Sequence, residues 1–213
     1  MAPLFADDAL LVLDKPSGLL AVPGRGAEKQ DALSTRVRHR YPDALIVHRL
    51  DMATSGLMLM ARGPHVQRAL NQCFADRKVS KRYEAVVSGR LAPPADACDG
   101  WSVIDLPISV DWPKRPLRII DAARGQPSVT HWRVLSYDPV RRATRVLLAP
   151  VTGRSHQLRV HLQAIGHPIL GDTLYAGAAA RCQSSRLLLH ACALQFAHPV
   201  TGAQVAFESP VPF

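Results

Sequence analysis

No apolar run in this chain approaches the length needed to cross a bilayer, and residues 1–8 (MAPLFADD) show no basic start followed by an apolar stretch. Neither insertion nor export is indicated, and a cytoplasmic location is expected. Cysteine is scarce: Cys73, Cys98, Cys182 and Cys192 lie far apart and form no C-x-x-C pair, which argues against a structural zinc site and a disulfide framework. Reduced core thiols are the expectation. No internal repeat is visible, and no G-x-S-x-G elbow is present for a serine hydrolase. Residues 23–26 (PGRG) lack the lysine of a phosphate-binding P-loop. His156 and His161 come nearest to a metal pair, but they are five apart where a helical zinc pair wants four, and residues 157–165 hold no carboxylate. No metal is expected. Acid is also short, with 17 Asp and Glu against 26 Lys and Arg. The resulting charge of +9 is spread along the chain, which favours a polyanionic partner such as RNA or DNA.

What is present is a chain of 213 residues, 47% hydrophobic, long enough to bury a core as one domain or two closely fused halves. Strands are expected at residues 10–13, 44–47, 57–61 and 79–89, and a hairpin at 128–137 and 144–149. Two more strands are expected at 187–196 and 204–208. Asp31 reads as the N-cap of a helix carrying Leu33, Val37 and Tyr41, stopped by Pro42. A second helix starts at Gly63 and Pro64 with Val66, Leu70, Cys73 and Phe74 on one stripe, and Arg77 and Lys78 at its C-terminal end. A third carries Leu158, Leu162 and Ile165, with Arg154 and Ser155 at its N-terminus. Residues 90–127 read as an irregular, proline-rich insertion with short strands near 102–104 and 117–121. Helices and strands do not alternate regularly, so α+β with a mostly antiparallel sheet fits better than a doubly wound fold.

Residues 44–61 (ALIVHRLDMATSGLMLMA) place a single carboxylate, Asp51, between two apolar strands, in a polar loop with His48, Arg49 and the turn-formers Thr54, Ser55 and Gly56. Taken alone, such an aspartate caps a turn more often than it does chemistry. Alternation places Lys81 and Tyr83 on one strand face. One acid, a Tyr near a Lys and an Arg at a helix start therefore remain. With no second acid in a comparable motif, two-carboxylate glycoside hydrolysis is disfavoured, while a lone carboxylate can still act as a nucleophile.

The residues KPSG (15–18), HRLDMATSG (48–56), KRY (81–83), GRSHQLRVH (153–161), GHPILGD (166–172) and LHA (189–191) occur in this order across nearly the whole chain. On them the sequence resembles the RluA family of pseudouridine synthases. The pairing of HRLD-x-x-TSG with GRSHQLR is highly specific, and either half alone would be only suggestive. The short length, and runs such as LLAVPGR and SVDWPKRP, further resemble the member of the family with dual specificity for 23S ribosomal RNA and tRNA.

The resemblance implies the pseudouridine synthase fold, a mostly antiparallel mixed sheet flanked by helices with a central RNA-binding cleft. It implies one catalytic domain over residues 1–213 with no separate N-terminal RNA-binding domain, acting as a monomer without cofactor or metal. Asp51 would be the catalytic carboxylate, attacking the ribose C1′ or the uracil ring or assisting a glycal route. Arg154 would pair with Asp51 and hold its orientation and charge. Tyr83 would stack on the uracil and help to remove the C5 proton. Arg49 would enter the RNA stack in place of the flipped nucleotide, since a stacked uridine cannot present both C1′ and its ring to one side chain. His48 would touch the same backbone or else bond the loop, Leu189 would wall the base or serve as a core leucine, and Lys81 would contact substrate. Two other readings stay open. A non-catalytic RNA-binding factor has no need of Asp51, Tyr83 and Arg154 together, and a small-molecule glycosidase is disfavoured by the charge and the missing second acid.

Overall fold

The computed structural model describes residues 2–95, 97 and 99–213. The chain forms two compact units, the first running up to Lys81 together with His190–Pro212, the second comprising Arg82–Leu189 with Phe213. Among the described residues no helix is long and apolar enough to cross a membrane.

The first unit contains β1 (Phe5–Ala6), β2 (Leu10–Lys15), α1 (Leu33–Arg38), β3 (Ala44–Ile46), β4 (Ser55–Arg62) and α2 (Pro64–Ala75). Strand β5 (Ser80–Ser88) leads into the second unit, which adds β6 (Ser102–Asp105), β7 (Ile108–Val110), β8 (Arg118–Ile120), β9 (Val129–Asp138), β10 (Ala143–Pro150), α3 (Gln157–Ala164) and α4 (Ala178–Arg181). The chain then returns to the first unit through β11 (Leu189–Ala197) and β12 (Gln204–Glu208).

Strand β4 is the centre of the first unit, buried from Ser55 to Ala61. Such a continuous apolar run needs cover on both faces, and period-2 alternation divides it between two helices. Leu57, Leu59 and Ala61 pack with Val66 and Leu70 of α2, whereas Met58 and Met60 pack with Leu33 and Val37 of α1. One edge of β4 is taken by antiparallel β2, from Lys15↔Gly56 to Leu10↔Ala61. The other edge is shared: β3 covers Met60 to Arg62, and parallel β11 covers Ser55 and Gly56. Gly56, with φ +110, is required there, because a Cβ would stand 2.3 Å from the Ala191 carbonyl oxygen.

The second unit is built on antiparallel β5–β10–β9–β6, with a separate β7–β8 ribbon from the proline-rich insertion. Every pairing named in either unit is antiparallel except β4 with β11, as the mostly antiparallel expectation required. Strand β7, flanked by Pro107 and Pro113, was not expected from sequence.

Two local expectations need correcting. Asp31 does not cap α1. Ala32 is the N-cap, and the first helical N–H groups donate instead to the Leu20 and Ala21 carbonyls (Leu33 N–H at 2.7 Å, Ser34 N–H at 3.2 Å). With those donors satisfied by a neighbouring segment, Asp31 is left to an exposed pair with Arg36. The helix also stops at Arg38 rather than running to Pro42, since both Arg40 and Tyr41 turn back onto the Val37 carbonyl. The thiols are less buried than expected: Cys73 and Cys192 are half-buried, and Cys182 is exposed after the one-turn helix α4. Cys98 lies outside the described residues.

Candidate active site

Strand β3 ends at Ile46, leaving β4 without a strand partner on that edge until β11 begins. The His48 ring fills part of this gap: its Nε2 accepts the Leu59 N–H at 2.9 Å, and the ring stacks on Phe74 with centroids 4.7 Å apart. An acceptor Nε2 fixes the tautomer with the proton on Nδ1. Burial first, and the Lys81 charge second, push the His48 pKa down to about 4, so the ring is neutral near pH 7. Of its two expected roles, the structure supplies a loop-bonding one. Arg49 follows, exposed, while Leu50 is 6% exposed and pins the chain beneath it.

Asp51 comes next, half-buried, in a loop whose backbone is fastened from the KPSG segment. Lys15 is fully buried, and its ammonium donates to the carbonyls of Pro16 (2.9 Å), Leu19 (2.8 Å) and Met52 (3.0 Å). The Gly18 N–H also donates to Met52 O at 2.8 Å, and the Ser17 hydroxyl donates to Ala53 O at 2.7 Å. The Thr54 N–H closes the turn on the Asp51 carbonyl at 3.1 Å. Every residue from Asp51 to Thr54 thus has a fixed backbone contact, and the Asp51 carboxylate is carried on a rigid support.

Behind this loop runs a buried polar chain. The Ser209 hydroxyl donates to Asp14 Oδ2 at 2.9 Å, so it accepts from His190 Nε2 at 3.0 Å. His190 Nδ1 then accepts from the Ser55 hydroxyl at 2.8 Å. Satisfied hydrogen bonds are what make a histidine and two serines tolerable at this depth.

In the second unit, Tyr83 sits half-buried on β5 opposite Leu148 of β10. Lys81, two residues earlier and the last residue of the first unit, is also half-buried, and burial pulls its ammonium pKa down. Leu189 is 3% exposed at the start of β11.

The turn before α3 is organised by Gln157. Its Oε1 accepts the Thr152 hydroxyl (2.8 Å) and the Arg154 N–H (3.0 Å), and its Nε2 donates to Val129 O and Thr130 Oγ1, both at 3.0 Å. His156 caps the helix in the left-handed region (φ 59°), so Arg154 lies in the turn ahead of α3 rather than on its first residue. The Arg154 side chain is exposed, with Nε 3.5 Å from Pro127 O, and lines a cavity of about 290 Å³ shared with Arg118 and Arg124.

Below the turn, Arg159 and Asp172 form a bidentate ion pair (2.8 and 2.6 Å) with side chains only 4% and 0% exposed. Asp172 also accepts the N–H groups of Leu174 and Tyr175, which spreads its charge over four donors. The Tyr175 hydroxyl accepts from the Arg118 N–H at 2.9 Å and shares a hydrogen bond with His156 Nδ1 at 2.6 Å. His161 is fully buried with both ring nitrogens engaged, by Thr130 Oγ1 and Leu106 O. Burial lowers its pKa. His156 and His161 therefore have separate structural partners and do not form a pair.

Of the residues singled out from sequence, the first unit holds His48, Arg49, Asp51 and Lys81, and the second holds Tyr83, Arg154 and Leu189. Sequence reasoning missed Lys15, Gln157, Asp172 and His190 as supports. The available signal was a polar side chain bordering an apolar run, as with Lys15 at the end of LLVLDK; Gln157, in a helix that is half polar (QLRVHLQA), had none.

Comparison with known proteins gives a consistent picture. The profile of the family described as RNA pseudouridylate synthase matches residues 9–164. The dual-specificity RNA pseudouridine synthase RluA of Escherichia coli strain K12 is 45% identical over 210 residues, covering 99% of this chain and 93% of the relative. The protein of the same name from Yersinia pestis is 45% identical over 213 residues, covering 100% of both chains. Among solved structures, human RNA pseudouridylate synthase domain containing 1 superposes with a TM-score of 0.80 at 29% identity, covering 100% of this chain and 84% of that one.

Proposed function

Because this chain belongs to the RNA pseudouridylate synthase family and is an RNA pseudouridine synthase, we propose that it isomerises specific uridines in both 23S ribosomal RNA and the anticodon stem-loop of tRNA, with Asp51 as the catalytic carboxylate. The dual substrate follows the names of the relatives that match over the full chain. In the reaction the N1–C1′ bond breaks, the uracil turns, C5 bonds to C1′, the C5 hydrogen leaves as a proton, and N1 takes up a proton. The product has the composition of the substrate. The proposal takes the whole chain as one catalytic domain, acting as a cytoplasmic monomer without cofactor or metal.

The observation that carries the reading is the support under Asp51. A surface aspartate that merely capped a turn would not need a fully buried ammonium and two further donors gripping the next two carbonyls. Such pre-organisation suits a group that must meet one atom of a flipped nucleotide, by nucleophilic attack on C1′ or on the ring or by assisting a glycal route. In this reading Arg154 partners the carboxylate, Tyr83 stacks on the uracil and assists loss of the C5 proton, and Leu189 walls the base. Arg49, exposed two residues before the acid, fills the space the uridine leaves. His48 positions Arg49 by bonding Leu59 across the gap beside β4, and Lys81 adds positive charge toward the RNA.

The test is chemical mapping of pseudouridine in ribosomal RNA and tRNA from cells with and without this gene. Loss of at least one site in each RNA class is the expected result. Unchanged maps in both would overturn the assignment, and loss from one class alone would overturn dual specificity.

A further inference from the structure

The cavity that Arg154 lines is the feature the reaction itself does not use up. It measures about 290 Å³ and brings together Arg118 from β8, Arg124 from the following turn, and Arg154, with Ser109, Gln126 and Ser155 adding neutral polar groups. Among the described residues, no acid lines it. Asp121, three residues before Arg124, accepts the N–H groups of Ala123 and Arg124 on its Oδ1, both at 3.0 Å, and so shapes the turn that carries Arg124.

Three arginines thus line one small space, and no lining side chain among the described residues carries a countercharge. The arginines are nonetheless held in place. The Arg118 guanidinium is tied to the carbonyls of Pro116 (3.0 Å) and Leu117 (3.2 Å), and its backbone N–H to the Tyr175 hydroxyl. Arg154 is fixed at its backbone by Gln157. A cavity of this size is at the small end of ligand sites, which run from roughly 300 to 1,000 Å³, and suits a compact anion rather than a base. Guanidinium forks match the oxygens of a phosphoryl group, with hydroxyl and amide donors completing its shell.

We propose that this cavity binds one backbone phosphate of the RNA substrate, gripped by Arg118 and Arg124, with Arg154 on its wall. The inference rests on the proposed function for the identity of the polyanion. It assigns a role to two arginines of the proline-rich insertion that belong to none of the sequence motifs. Holding a phosphate against the turn that carries Arg154 would fix the register of the RNA backbone, which positions the substrate without reading its bases.

The test uses the full-length protein and its Arg118→Gln and Arg124→Gln variants, with Arg141→Gln, an exposed arginine of the β9–β10 turn, as a control for general charge. Binding of an unmodified tRNA anticodon stem-loop is measured with each phosphate replaced singly by a neutral methylphosphonate. The expected result is one linkage whose neutralisation weakens wild type and Arg141→Gln about tenfold but leaves Arg124→Gln nearly unaffected. The slope of log affinity against log salt should also fall by no more than roughly 0.7–0.9, the contribution of one phosphate, in either cavity variant. The same penalty at every linkage in wild type and in both cavity variants would overturn the proposal. Inorganic phosphate, titrated at constant ionic strength, provides a second arm. If it binds wild type but not Arg124→Gln while the linkage scan shows no difference, the cavity takes free phosphate and the RNA assignment is wrong. Because the scan measures binding, it still decides the cavity's role should the wild type convert no uridine, an outcome that would count against the proposed function instead.

Discussion

Around Asp51 the backbone is fastened by a buried ammonium, that of Lys15, donating to three carbonyls, one of them Met52 O in the loop itself. Around Arg154 the fastener is a neutral amide, that of Gln157, which both accepts from the turn and donates to β9. The two loops carry opposite charges, and each is held by a group that suits its own. A buried cation adds favourable potential beside an acid, and beside Arg154 the same cation would add to the positive charge of the arginines lining its cavity. An amide offers donors and an acceptor with no net charge. The buried Arg159 charge beneath the second loop is cancelled in place by Asp172. The acid loop is therefore braced by positive charge, and the arginine turn keeps its cavity cationic without further help.

Substitutions at these fasteners should loosen the two loops to different degrees. Asp172→Asn should have the largest effect, since it strands the Arg159 guanidinium in a buried site; a loss of about 3–5 kcal/mol in urea unfolding is expected. Lys15→Met leaves the carbonyls of Pro16, Leu19 and Met52 without the ammonium and should cost about 3 kcal/mol, with pseudouridine formation falling at least tenfold as the Asp51 loop loosens. Wild-type stability and rate in that variant would remove the ammonium from the account.

A pH experiment probes the first loop more gently. The His48 pKa is held at about 4 in the folded protein against an ordinary 6.5, so as pH falls below 6.5 the unfolded chain gains a proton that the folded chain refuses. His48 thus contributes stability that is fully present above pH 6.5 and is lost progressively down to about pH 4, by at most about 3 kcal/mol. His48→Gln should flatten the stability profile in that window and leave its shape above pH 7 unchanged. Gln157→Leu is expected to have the smallest effect, about 2 kcal/mol, because neutral partners lose less when one is removed. A larger loss than for Lys15→Met would invert the comparison.

Much of this was legible in the residues because the signals were local. The apolar run at residues 57–61 read as a buried strand and falls within β4, and the hairpin of β9 and β10 followed from alternation and its polar turn. What escaped was non-local. Asp31 had the chemistry of an N-cap, but the Leu20 and Ala21 carbonyls reached the helix first. Lys15 lies just past the strand expected at residues 10–13, and nothing near it in sequence shows that Met52, 37 residues away, supplies a partner. His48 was recognisable as either a contact or a brace, and only the gap between β3 and β11 explains the brace. The pairing of Arg154 with Asp51 comes from the resemblance and stays a proposal, whereas the grouping of Arg154 with Arg118 and Arg124 depends on how the insertion folds and had no sequence signature at all.

The most direct test of the central claim is tritium release from RNA labelled at uridine C5, comparing wild type with Asp51→Asn. Release by wild type and none above background in the variant is the expected result, with RNA affinity and unfolding midpoint near those of wild type. Release by Asp51→Asn at the wild-type rate would contradict it.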